Sequence, residues 1–167
     1  MARSAVFLLA AALCFSSLLG SALSNPSHFT VEGLVYCDTC RAQFVTKLSE
    51  YMEGAKVRLE CRNREGGDLT YSVEGETDKT GTYQLGVDGE HENEVCEIVL
   101  VKSSKPDCSE ISTDTYTRKA SRISLTSNNG MVSGKRLANP LGFMKKEALP
   151  ECSEVLKELG ILSFDTE

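Results

Sequence analysis

Phe29-Thr30-Val31-Glu32-Gly33-Leu34-Val35-Tyr36-Cys37 is the stretch on which the reading of this chain turns. Phe29, Val31, Val35 and Cys37 fall on alternate positions with polar residues between the first of them, which is the period of a half-buried β-strand. Cys37 closes the strand, and Asp38-Thr39-Cys40 follows. A thioredoxin-like dithiol needs its C-x-x-C at the start of a helix behind a parallel-sheet strand; the remainder of this chain does not read as βαβ. A structural zinc site needs a second close pair of ligands, whereas His28 and His91 each stand alone. Residues three apart in an extended chain point to opposite faces. Cys37 and Cys40 are therefore poorly placed to bond each other and well placed to fasten two different elements.

Outward from this strand, period-two runs recur between turn signals. Further strands are expected at Ala55–Arg62, Leu69–Glu74, Gly81–Val87, Val95–Val101 and Tyr116–Ile123, with a weaker one at Met131–Lys135. The separators include Gly66-Gly67, Asp78-Lys79-Thr80-Gly81, Asp88-Gly89 and Asn128-Asn129-Gly130, residues that accept positive φ cheaply. Seven short strands at this spacing predict an all-β fold, a single antiparallel barrel or sandwich. The absence of Trp argues against an immunoglobulin domain proper. Two segments depart from the pattern. Arg41–Met52 reads as a short helix, with Phe44, Leu48 and Met52 on one face, or as an irregular loop. Pro150–Leu159 reads as a helix ended by Gly160, with Cys152, Val155, Leu156 and Leu159 forming an apolar stripe.

The N-terminus sets the compartment. Arg3 precedes an uncharged apolar run, Ala5 to Leu19, which ends in Gly20-Ser21-Ala22-Leu23-Ser24. That is the layout of a signal peptide, and the run is shorter than the roughly 20 apolar residues needed to span a bilayer. Residues 1–24 are expected to be removed before Asn25, with cleavage before Leu23 as the near alternative. Residues 25–167 then form one secreted domain without membrane insertion. Loss of Arg3 takes the net charge of −6 to −7. An acidic domain lacks the basic footprint that nucleic acid requires. Cys14 leaves with the leader, and Cys37, Cys40, Cys61, Cys96, Cys108 and Cys152 remain. An even count in a secreted chain reads as three disulfides, with the pairing open at this level.

No catalytic constellation stands out, and no cofactor or metal is expected. Neither histidine belongs to a nucleophile motif. The acidic run Asp88-Gly89-Glu90-His91-Glu92-Asn93-Glu94 lacks the register of a calcium loop. Asp38-Thr39, read as exposed, and the 88–94 loop are the candidate contact surfaces. No N-glycan is expected: Asn25 is followed by Pro26, and Asn63, Asn93, Asn128, Asn129 and Asn139 lack a hydroxyl residue two positions on.

Glu32-Gly33-Leu34-Val35-Tyr36-Cys37-Asp38-Thr39-Cys40-Arg41 resembles the E-G-x-V-Y-C-D-x-C-R signature of the Ole e I family, the olive-pollen allergen-like extracellular proteins of plants. Residues 139–150, Asn139-Pro140-Leu141-Gly142-Phe143 onward to Pro150, are similar to the block before that family's last cysteine. The resemblance implies a seven-stranded β-barrel or sandwich with disulfides Cys37–Cys108, Cys40–Cys152 and Cys61–Cys96. It marks Glu32, Gly33, Val35, Tyr36, Cys37, Asp38, Cys40 and Arg41 as signature positions. It also implies a secreted, non-enzymatic pollen protein acting in hydration, germination or pollen-tube growth. Its partners would be a receptor ectodomain or cell-wall polysaccharide, and IgE in sensitised hosts. The chain departs from several members in one respect: Arg64 and Glu65 follow Asn63, so a glycan after the third cysteine is missing. A secreted protease inhibitor is the alternative reading, and a redox enzyme using Cys37 and Cys40 a more distant one.

Overall fold

The computed structural model describes residues 27–112, 120–127 and 129–161. The leader expected at 1–24 and the first four positions of the strand expected at Tyr116–Ile123 lie outside these residues. Among these residues nine strands form two sheets. They are β1 (His28–Asp38), β2 (Glu50–Tyr51), β3 (Lys56–Asn63), β4 (Leu69–Glu76), β5 (Thr82–Asp88), β6 (Glu94–Lys102), β7 (Ala120–Ile123), β8 (Lys135–Leu137) and β9 (Leu141–Met144). Among the described residues one helix, α1 (Cys152–Glu158), follows.

Strand β1 is the hub of the first sheet. One edge pairs antiparallel with β5 over residues 28–34 and with β2 at Tyr36 and Cys37. The other edge pairs with β8 over 30–32 and with β9 over 35–38, both parallel. The second sheet has the order β4-β3-β6-β7, all antiparallel. The expectation of seven antiparallel strands is thus corrected to nine, two of them parallel to β1, and the sheets do not close into a barrel. Parallel pairing becomes possible because the chain returns to β1's free edge after the second sheet is complete.

Alternation builds the core. Phe29, Val31 and Val35 of β1 and Tyr83, Leu85 and Val87 of β5 are buried. They join Val57, Leu59 and Ile98 of the second sheet in one apolar cluster. Outward positions of the second sheet carry charge instead. Glu60 stands directly opposite Glu97, an unfavourable cross-strand pair. Arg58 and Arg62 both bind Glu60, and Arg122 binds Glu97, so the like charges are neutralised locally. Exposed pairs of this kind contribute little stability; they keep the face wet.

Disulfides join Cys37 to Cys108, Cys40 to Cys152 and Cys61 to Cys96. The last closes a loop of sequence separation 35, which restricts the unfolded chain by about 3–4 kcal/mol. Helix α1 is shorter than expected, and its buried side is narrower: Cys152 and Val155 are buried, whereas Leu159 is 54% exposed. Gly160 at φ +70 ends it, its N–H donating to the Lys157 carbonyl. Residues 41–49 take the loop alternative rather than the helix, and β2 follows them at 50–51. The strand expected at Met131–Lys135 lies further on, at Lys135–Leu137, and β9 was not expected at all. Arg136, also unforeseen, is buried in β8. Its guanidinium donates to the carbonyls of Ser124 and Thr126 and lies 4.8 Å from the Phe29 ring.

Gly33 has a physical reason to be glycine. It is the cross-strand partner of Tyr83, and a Cβ there would stand 2.2 Å from the phenolic oxygen and 2.5 Å from Cζ. Gly86, also on the β1–β5 ladder, would bring its Cβ no closer than 3.6 Å to any neighbour. Overpacking costs about 1–3 kcal/mol. Urea denaturation should therefore find Gly33→Ala destabilised by about that amount and Gly86→Ala nearly unchanged.

Candidate functional site

From Val35 to Cys40 every residue is buried. The inward positions face the core, and the outward ones are covered by β9, the 41–49 loop and the segment leading to α1. Asp38 and Thr39, expected on the surface, are 1% and 0% exposed. The correction follows from where their polar groups go. The Asp38 carboxylate accepts hydrogen bonds from the backbone N–H of Ala42 (3.0 Å) and Gln43 (2.6 Å). These bonds hold Arg41 and Gln43 at φ +52 and +64, a region costly for residues other than glycine. The Thr39 hydroxyl donates to the Leu48 carbonyl at 2.8 Å, and the Thr39 carbonyl accepts from Leu149 N–H at 3.0 Å.

Arg41 completes the node. Its guanidinium forks onto Glu110 at 2.6 and 3.2 Å and donates to the Lys145 carbonyl at 2.6 Å. Arg41 holds the Glu110 carboxyl below its ordinary range, and Lys145 does the same to Asp107. Thus Asp38, Thr39, Cys40 and Arg41 each fasten a different stretch of chain to the end of β1. Earlier in the signature, Gly33 makes room for Tyr83, and Glu32 pairs with Lys135 and accepts from Gln84. The signature residues come together as an internal scaffold.

Beside this node lies an open cleft of about 180 Å³. Tyr36, Phe44, Val45, Ile111, Pro140 and Met144 supply its apolar surface; Asp38, Gln43 and Asn139 add polar groups. Gly142 is needed in its floor, because a Cβ there would meet the Tyr36 ring at 2.7 Å. Burial, with the Asp38 carboxylate adding, pushes the Tyr36 phenol up to about 12, so it stays protonated at neutral pH. The Asp38 carboxylate already serves two amides. The cleft offers an apolar surface rimmed by donors and acceptors, suited to recognition, with no nucleophile–base pair among these groups.

The 88–94 loop turns its carboxylates to its own neighbours. Asp88 lies 2.6 Å from His28 Nδ1, Glu90 accepts from Ser27 and Ser127, and Glu94 binds His91. Periodicity missed the cleft because residues 44–45, 111 and 139–144 are distant in sequence and meet only in the folded chain. The nearest signal was the 139–150 block.

The family model described as "Pollen protein Ole e 1 like" matches residues 27–160. An Olee1-like protein of Betula pendula is 65% identical over 161 residues, covering 96% of each chain. Pollen allergen Che a 1 of Chenopodium album is 55% identical over 157 residues, 94% of each. Among solved structures, the major plantain pollen allergen Pla l 1 superposes with a TM-score of 0.68 at 43% identity, covering 75% of this chain and 99% of the allergen.

The acid sensitivity of the node has a definite sign. Glu110 and Asp107 have native pKa values below their ordinary ones. Their contribution is complete above the ordinary carboxylate range, about pH 4, and is lost as pH falls through the depressed native values. Thermal denaturation should show a Tm that is flat between about pH 7 and 5 and declines below about 4. Arg41→Ala should lower the plateau and flatten the acid decline.

Proposed function

The chain belongs to the Ole e 1-like pollen protein family, and from that premise we propose that it is a secreted, non-enzymatic pollen protein that acts by extracellular binding. The leader at residues 1–24 directs it out of the cell, where three disulfides are stable. Its role lies in pollen hydration, germination or tube growth, through a receptor ectodomain or a cell-wall polysaccharide. IgE of sensitised hosts is an incidental partner.

One observation carries this reading. The cleft beside the signature combines partly exposed apolar side chains, Phe44, Val45 and Ile111, with polar groups already engaged in structure. An apolar patch rimmed by polar groups is a contact surface, and its frame is rigid because two disulfides and Arg41 fix its walls. Similarity to pollen allergens supports the tissue.

Pollen depleted of this protein is expected to germinate less and grow shorter tubes. Added wild-type protein should restore growth, and the Phe44→Asp/Ile111→Asp variant, checked for native disulfides, should not. Normal growth of depleted pollen overturns the functional reading. Equal rescue by the variant overturns the placement of binding in this cleft.

A further inference from the structure

The end of β1 brings one idle polar group to the cleft. Tyr36 is 3% exposed, yet its hydroxyl makes no hydrogen bond among the described residues. Unlike the Tyr83 hydroxyl, which is sealed in the core, it is open to the cleft, where the end of the ring lies over Gly142 in the floor. The other polar side chains of the signature are engaged: Glu32 with Lys135, Asp38 with two amides and Arg41 with Glu110. Burial and the neighbouring Asp38 carboxylate keep the phenol protonated. It is therefore a donor without an acceptor, and only what enters the cleft can satisfy it.

The rest of the lining specifies what carries that acceptor. Asp38 is the one charged residue among the described lining residues, and it repels an anion, so a phosphate or an acidic sugar is a poor occupant. Phe44, Val45, Ile111, Pro140 and Met144 make the walls apolar. A neutral sugar ring would bury hydroxyls against them without partners. A space of about 180 Å³ suits one aliphatic or aromatic side chain. Gln43 and Asn139 add carboxamides whose side-chain atoms are bonded to no other described group. Each carboxamide both donates and accepts, which matches the N–H and C=O groups of an extended main chain.

Resting on the reading of this cleft as the contact surface, we propose that it receives one apolar side chain from an extended, locally uncharged segment of a partner protein, and that the Tyr36 hydroxyl donates to a main-chain carbonyl beside that side chain. The walls supply affinity, as for an apolar anchor filling a pocket, and the hydroxyl fixes the direction in which the segment lies.

The test uses the full secreted chain with its disulfides intact, followed by amide NMR. The probes are acetyl-glycyl-leucyl-glycine amide, its phenylalanine counterpart and acetyl-triglycine amide. The first two should shift the amides of Phe44, Val45 and Gly142 saturably at millimolar concentration, and the triglycine should not. Tyr36→Phe keeps the ring and removes only a hydroxyl with no internal partner. It should leave the Tm unchanged and weaken the leucyl peptide by about threefold to tenfold, the range that one hydrogen bond supplies. Tyr83→Phe, which removes an unpartnered hydroxyl inside the core, should bind as wild type does. In pollen rescue, Tyr36→Phe should require a higher protein concentration by the same factor.

The proposal is overturned if neither apolar peptide gives a saturable shift, or if Tyr36→Phe binds them as tightly as wild type. Binding of an oligogalacturonate or a cello-oligosaccharide at these amides in place of the peptides would make the occupant a polysaccharide and overturn it too. Tyr36→Phe rescuing pollen at the wild-type concentration, while Phe44→Asp/Ile111→Asp does not, would sink the proposal and leave the cleft as the contact surface. Rescue by both variants would remove that placement as well.

Discussion

Strand β1 is paired along both edges and, over its last residues, covered on both faces; at that point two disulfides leave it for different parts of the chain. Cys37 reaches Cys108 and Cys40 reaches Cys152, across sequence separations of 71 and 112. Much of the architecture follows from satisfying this buried end. The backbone must turn sharply there without water to solvate it, so Asp38 supplies the acceptors for two amides and Thr39 ties down Leu48 and Leu149. Arg41 then binds Glu110 and the carbonyls that follow β9. Strands β2 and β9 add the remaining backbone partners. An unsatisfied polar group at such a site would cost about 1–3 kcal/mol, which explains why several polar residues gather where the core is tightest.

The legible part of the fold was what local period and turn chemistry encode. The alternation in β1, β3, β5 and β6, the terminal helix and the separate destinations of Cys37 and Cys40 were all readable. Strands β2, β8 and β9 span 2, 3 and 4 residues, too short for any period, and they exist through pairing with β1. Asp38 and Thr39 were misplaced because polar composition was read as exposure; tertiary hydrogen bonding reverses that inference for both. Leu159 failed in the other direction, an apolar residue at the end of a short helix with nothing above it. Arg136 carried no sequence signal, since a charged side chain in a weak strand gives no hint that carbonyls will surround it.

This division separates family identity from recognition. The signature looks, in sequence, like a functional motif, yet its residues face inward and hold loops, strands and disulfides together. In the proposed reading, contact with partners falls to side chains beside the node, Phe44, Val45 and Ile111 among them.

The central claim is that the end of β1 is the structural hub of the domain. Native-state hydrogen exchange tests it most directly, because amides protected by the hub open only when the whole molecule unfolds. The amides of Val35 and Thr39, with those of Lys145 and Leu149, which donate to the Asp38 and Thr39 carbonyls, should exchange at the global unfolding free energy. Amides near the start of β1, at Thr30 and Val31, should exchange no more slowly than these. Fast sub-global exchange at Val35 and Thr39, with slower exchange at the start of β1, would contradict the account.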